Sequence, residues 1–184
     1  MSRIWHPKRK RMTECASRSM RAFAFIAVTY AVGICKGDMP LPPPSEVTAI
    51  SPNGGIRAIS EPKAGTRVED VKQGKGLWRL PEWHRSMCVA DDGKHLVTEP
   101  DGMNLIPVDF TDDFVLLTFW RDGTKIRDVT IGDLFPGRRG LVRTVSHYAW
   151  RLSMDLDAHG RLWVSLIDGR TLLFDVGIGN FVKE

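Results

Sequence analysis

The sequence predicts an all-β fold: antiparallel, meander-type, propeller-blade-like hairpins forming a small open two-sheet domain, with a short helical segment near residues 131–145. Three observations predict it. Short apolar runs recur from about residue 46 onward. Gly-containing turns, several of them Asp-Gly, separate the runs and supply the positive φ that tight hairpins need. β-branched and aromatic residues fill the runs, and alternation is visible in Lys125–Ile131 and Arg161–Ile167, as expected of sheets with one buried face.

Residues 1–33 have the parts of a secretory leader in the right order. A basic segment ends at Met20-Arg21, an apolar run of 11 residues follows (Ala22–Val32), and the small residues Thr29, Ala31 and Gly33 offer cleavage after Ala31 or Gly33. A spanning helix needs about 20 apolar residues, so the run fits a leader better than an anchor, and no later stretch is long enough to span. The expectation is export to the periplasm or the extracellular space, with Met1 or Met20 as the translation start. Lipid anchoring at Cys35 is the weaker reading, because bulky Ile34 precedes that cysteine.

The leader also accounts for the charge. The chain carries a net +4, but residues 1–33 hold seven basic residues against one acid, which leaves −2 on everything after them. Nucleic-acid binding, which would want a basic face on the folded part, is therefore not expected. If Cys15 leaves with the leader, Cys35 and Cys88 remain and can pair in an oxidising compartment.

Residues 34–45 form a Pro-rich spacer, with Pro40-Leu-Pro-Pro-Pro44 at its stiff end. Residues 46–184 then read as a single β domain. Val47–Ile50 and Ile56–Ser60 flank Ser-Pro-Asn-Gly-Gly as a first hairpin. Arg67–Trp83, charged, Gly-rich and aromatic, reads as a long loop with at most one strand. Met87–Ala90 and His95–Glu99 flank Asp-Asp-Gly93. Phe114–Trp120 and Lys125–Ile131 flank Arg-Asp-Gly123. Gly132–Phe135 is read as a helical turn, with a loop and then a short helix or extended run to Val145. Met154–Asp157, Leu162–Ile167 and Thr171–Val176 form a three-stranded meander across His-Gly160 and Asp-Gly169.

The hairpins at 87–99, 114–131 and 154–176 resemble one another at a spacing typical of propeller blades. Met87-Cys-Val-Ala-Asp-Asp-Gly-Lys-His-Leu-Val-Thr98, Leu156–Val164 and Gly169–Val176 each look like a strand–Gly turn–strand unit of propeller-repeat proteins. Over about residues 86–176 the chain resembles a group of uncharacterised bacterial exported proteins with such hairpins, the matching pieces being Ala90–Gly93, Phe114–Leu134, Ser146–Trp150 and Asp168–Arg170. The resemblance implies a propeller-like fold and carries no activity. Closed propellers need four or more blades, and this chain supplies two or three. An open sheet edge invites pairing, so self-association is an expectation.

The chemical motifs are sparse. Asp155-Leu-Asp157-Ala-His159-Gly160 starts like a calcium loop, but His159 is a poor calcium ligand and Leu166 stands where Glu is needed. The histidines and cysteines lack zinc spacing, and there is no nucleophile elbow, phosphate loop or dinucleotide fingerprint. No cofactor or metal is expected. Asp91-Asp92 and Asp112-Asp113 fit turns at least as well as an acid–base couple.

The aromatics are more telling. Trp120 and Trp163 fall within strand patterns and are expected in the core. Trp78 and Trp83 sit with Arg79 and Arg85 in a mixed aromatic and basic segment, a composition favoured at binding surfaces. The leading expectation is an exported, non-catalytic β module that contacts a protein partner. The alternative is a small ligand- or carbohydrate-binding domain using the Trp78–Trp83 segment. A small periplasmic hydrolase is third.

Overall fold

The computed structural model describes residues 40–182. The leader, Cys15, Cys35 and the first part of the spacer lie outside the described residues, so the expected leader cleavage and the Cys35–Cys88 pairing do too. Cys88, the one cysteine among the described residues, carries a free thiol.

Three four-stranded antiparallel meanders follow one another as blades. Blade 1 is β1 (Val47–Ile50), β2 (Ile56–Glu61), β3 (Gly65–Asp70) and β4 (Lys75–Leu80). Blade 2 is β5 (Met87–Val89), β6 (His95–Thr98), β8 (Val115–Arg121) and β9 (Thr124–Thr130), with β7 (Leu105–Pro107) excursing between its second and third strands. Blade 3 is β12 (Arg151–Leu156), β13 (Arg161–Leu166), β14 (Thr171–Asp175) and β15 (Asn180–Phe181). A small sheet of order β10 (Val142–Arg143), β11 (His147–Ala149), β7 bridges blades 2 and 3. The first strands of the blades lie side by side, β1 against β5 and β5 against β12. This is the open, blade-like all-β domain that the hairpin pattern predicts, assembled from four sheets.

The turns form for the reasons their residues suggest. Asp122 (φ 48°) and Gly123 (φ 79°) both take the left-handed conformation, which makes β8–β9 a tight two-residue hairpin. Gly93 (φ 67°) supplies the left-handed turn between β5 and β6, with the Leu77 and Ile56 side chains of blade 1 close against it. Helix α1 (Ile131–Leu134) starts with a reciprocal cap: the Thr130 side chain accepts from the Asp133 backbone N–H, and the Asp133 carboxylate accepts from the Thr130 N–H at 2.8 Å. A 3₁₀ turn at Pro136–Arg138 and the short strand β10 follow, so of the short helix or extended run expected after the loop, the segment ends as extended chain.

One expectation is overturned. Arg67–Trp83 is not a long loop; it holds most of β3 and all of β4. Thr66 and Val68 face inward, and Arg67 and Glu69 point outward to pair with opposite charges, so the charges that look loop-like are the solvent face of a strand. The glycines mark the ends of these strands: Gly65 (φ 78°) opens β3, and Gly74 (φ 60°) precedes β4.

Two cores hold the blades. The smaller joins blades 1 and 2: Ile56, Ala58, Val68 and Leu80 meet Met87, Val89 and Leu96, with Trp78 and Trp120 at the margin. The larger joins blade 2, the α1 segment and blade 3, around Val97, Leu117, Phe119, Phe135, Trp150, Leu162, Val164, Leu166 and Phe174.

Candidate functional site

The four residues expected to form one binding surface are divided by the strand. In β4, Trp78 turns inward opposite Val68, half-buried, and its indole N–H donates to the Gly93 carbonyl at 2.8 Å. Arg79, the next residue, points to the opposite, exposed face beside Arg67. Trp83 and Arg85 stay together on the β4–β5 connection. The Arg85 guanidinium lies 4.9 Å from the centre of the Trp83 ring. Both hold the chain's own spacer: Trp83 Nε1 donates to the Ser45 carbonyl at 2.9 Å, and Arg85 Nη2 to that of Pro42 at 2.9 Å.

Beside Trp83 a cleft of about 320 Å³ opens, lined by Glu82, Trp83, His84, Thr98, Glu99, Pro100, Asp101, Val115 and Thr118. Glu99 is its buried floor, 3% exposed, and its charge is fully used. Arg151 reaches from the start of blade 3 and grips it with two bonds of 2.5 Å, and the Ser86 hydroxyl donates to the same carboxylate. A forked arginine on a buried carboxylate is the arrangement that lets such a charge be held away from water. Thr98 accepts the Trp120 indole N–H at 2.9 Å, and Thr118 donates to Asp128 at 2.9 Å. His84 is different. Its Nε2 is buried and has no hydrogen-bond partner, and burial holds its pKa below the ordinary 6.5 against the raising effect of Glu82 and Asp101. Cys88 lies one residue pair away in the sheet, opposite Val97. Burial first, then the nearby Glu99 and Asp155 charges, push its thiol up to about 12, so it is a poor nucleophile.

The outer faces of the two end blades contrast. On blade 1, Ile59, Arg67 and Arg79 form one cross-strand row, while Arg57 and Glu69 form the next. Arg57 pairs with Glu69, and Arg67 with Glu61 and, at 3.6 Å, with Glu69. On blade 3 the central row is Asp155, Trp163, Leu173 and then Val182, whose N–H donates to the Leu173 carbonyl at 2.8 Å. The neighbouring row is Ser153, Ser165 and Thr171. Trp163, Leu173 and Val182 bound a groove of about 430 Å³. Trp163 therefore departs from its expected place in the core: it is half-buried on the outside of blade 3. Trp120 does join the margin of the smaller core. The tryptophan at the centre of the larger core is Trp150, fully buried with its indole N–H on the Met103 carbonyl at 2.8 Å. Its place in Tyr148-Ala-Trp150, before a basic residue and outside any long run, gives no periodic signal.

The stretch that starts like a calcium loop is a turn. Asp157 accepts the backbone N–H groups of His159 (2.8 Å) and Arg161 (3.0 Å), the Arg161 Nε–H (2.8 Å) and the Trp163 indole (3.2 Å). Partial burial works against its charge, but these donors outweigh it and take its pKa to about 2. Its lone pairs are thus engaged by the protein. No group of three His, Cys, Asp or Glu side chains able to hold a metal occurs among the described residues. Ser146 Oγ and His147 Nδ1 lie 2.9 Å apart, a contact between chain neighbours beside the β10–β11 turn that Thr144 and His147 close.

No protein-family model matches the chain, and no curated protein matches it. Solved structures do. The chain is similar to the RRP9 WD40 repeats at 12% identity, covering 78% of this chain and 39% of that one, with a TM-score of 0.43. It is similar to U3-55K at 13% identity, 78% and 40% coverage and a TM-score of 0.42, and to HIRA(644-1017) at 12% identity, 70% and 36% coverage and a TM-score of 0.41. The chain spans about two-fifths of the length of these structures.

Proposed function

We propose that this protein is an exported, non-catalytic β module that binds another protein through the outer face of blade 3. One observation carries the reading: the two end blades finish their exposed faces in opposite ways. Blade 1 carries the Arg57, Arg67, Glu61 and Glu69 ion pairs with Ile50 exposed at their edge, whereas blade 3 carries Trp163, Leu173 and Val182 between the Arg161–Asp157 pair and a row of small hydroxyl residues. Leu173 is itself buried, and the Arg161 guanidinium lies 5.8 Å from the centre of the Trp163 ring, so the accessible part of the strip is the free side of the half-buried Trp163 together with Val182. A four-stranded face of this length measures roughly 300 Å², from the strand rise and spacing. That is far below the roughly 800 Å² per partner of a standard stable interface, so the face suits a partner's short apolar segment better than a second copy of this chain. A tryptophan above a shallow groove is the kind of anchor that concentrates binding energy.

The test is site-directed cross-linking from a photoreactive group at Ser165, in the native host, comparing wild type with Trp163→Glu and with Arg57→Gln. A heterologous cross-linked band lost in Trp163→Glu and kept in Arg57→Gln supports the reading. Loss in both, or in neither, removes it, and a band at twice the chain mass makes the face a homodimer contact. Export is tested separately: the reading expects the protein's first residue, on N-terminal sequencing of periplasmic or extracellular material, to lie after residue 31 or 33.

A further inference from the structure

We propose that Trp83 and Arg85 form a binding site for a proline-rich extended segment, and that the chain's own Pro42–Ser45 occupies it as a strap that such a segment of a partner protein displaces. The two donors meet carbonyls three residues apart in the chain. Trp83 Nε1 donates to Ser45 and Arg85 Nη2 to Pro42, each at 2.9 Å. The Arg85 guanidinium lies 4.9 Å from the centre of the Trp83 ring, which sets the spacing between the donors. A polyproline helix repeats about every three residues, with about 9 Å of rise, and makes no internal hydrogen bonds. Its carbonyls at i and i+3 therefore face one side and are free to accept. Pro42, Pro43 and Pro44 hold φ in that helix, and Leu41, Pro42 and Pro43, each followed by a proline, are kept out of the α region. The segment reaches the donors already ordered and loses little conformational freedom on docking.

Neither bond involves a strap side chain. The site reads backbone carbonyls at polyproline spacing, and that spacing belongs to any proline-rich segment. Aromatic surfaces are the recurring receptors of such segments. The strap is also lightly held. Residues 40–45 are all exposed, and these two are the hydrogen bonds they make among the described residues. Strand β1 begins at Val47, so the strap can lift while the pairing of Val47 with Ser60 stays in place. Arg85 Nε is buried without an acceptor, so the strap leaves one donor of the pair unanswered. What favours the strap is its tether, which gives it an effective concentration on the order of millimolar against a free competitor.

The site shares no residue with the blade 3 face, so the two readings fail separately. The experiment follows the Trp83 indole N–H of the full chain by NMR, in wild type and in Pro42→Gly/Pro43→Gly/Pro44→Gly. The substituted residues are exposed, and unchanged indole signals of Trp78, Trp120, Trp150 and Trp163 check that the variant folds. Without its polyproline order the strap lets go. Trp83 indole hydrogen exchange then quickens at least threefold. Acetyl-Pro-Leu-Pro-Pro-Pro-Ser-amide gives a saturable Trp83 shift and binds the variant at least threefold more tightly than wild type. Acetyl-Gly-Leu-Gly-Gly-Gly-Ser-amide gives no shift. Trp83→Phe in the same background keeps a ring under Arg85 and removes the donor, and it loses the peptide-induced shift of the Arg85 amide. Unchanged Trp83 exchange in the glycine variant, absence of a shift at millimolar proline peptide, or equal binding of the two peptides overturns the proposal. So does a wild-type Trp83 signal that changes on dilution, which puts the spacer of a second copy in the site.

Discussion

Blades 1 and 3 have the same strand order and opposite surroundings. Blade 1 joins the domain through a small aliphatic core and closes its far side with an Arg–Glu lattice. Blade 3 joins through the larger aromatic core, is braced by Arg151 and Trp150, and leaves apolar surface on its far side. Apolar residues on both faces of a strand mark a blade built to sit between neighbours, and charge on one face marks a blade built to meet water. The difference teaches which end of the domain is finished with charge and which keeps apolar side chains on its outer face, the face proposed to meet a partner.

The sharpest way to break the comparison is to empty the larger core. Trp150→Ala removes a fully buried ring and costs about 3–5 kcal/mol, read as a lowered urea midpoint by far-ultraviolet circular dichroism. Leu80→Ala in the smaller core costs about 2–3 kcal/mol, and hydrogen exchange quickens in β1–β4 before it does in blade 3. If both variants open the whole domain together, the blades are one cooperative unit and the contrast in attachment has no energetic meaning.

Next comes the brace between blades 2 and 3. Arg151→Met strands the Glu99 carboxylate without its partner and costs about 3 kcal/mol by urea denaturation; the double variant with Glu99→Leu recovers most of that loss. On blade 1, Glu69→Gln weakens pairs with Arg57 and Arg67, whose guanidinium groups stay partly open to water and keep solvent or Glu61 as partners, and costs about 1 kcal/mol.

The smallest effects are on pH dependence. The folded state lowers the pKa of His84, so the stability linked to its neutral form is complete above about 6.5 and is lost as the pH falls through the lower folded value. His84→Gln flattens the urea midpoint between pH 7 and 5. Asp157 is held near 2, so its contribution is complete above its ordinary 3.8 and disappears as the pH falls through about 2; Asp157→Asn removes that acid limb.

Much of blades 2 and 3 is legible from local rules. Asp-Gly at 122–123 and Gly at 93, 160 and 169 sit at observed turns, and the flanking alternation matches observed faces. Blade 1 was half-legible, because β3 and β4 carry charge on one face and glycine at their ends, a composition shared with loops. The small sheet had no signal, since two- and three-residue strands are too short to show a period. The candidate site was legible only as composition. Trp78, Arg79, Trp83 and Arg85 stood out together, but strand alternation sends Trp78 and Arg79 to opposite faces, and Glu99, Pro100 and Asp101 arrive at Trp83 from a different part of the chain.

The amino-acid sequence by itself determined the all-β class, the positions of the Gly turns, the Thr130 cap and the basic, apolar order of residues 1–33, because each depends on neighbours within a few residues. Tertiary structure alone decided which tryptophan became core and which became surface, which carboxylates were neutralised, and which end blade was left open. Those outcomes depend on what lies across a sheet or in the next blade. Trp163 stands in an alternating run and Trp150 outside any run, but it is Trp150 that lies in the larger core and Trp163 that lies on the outer face of the last sheet.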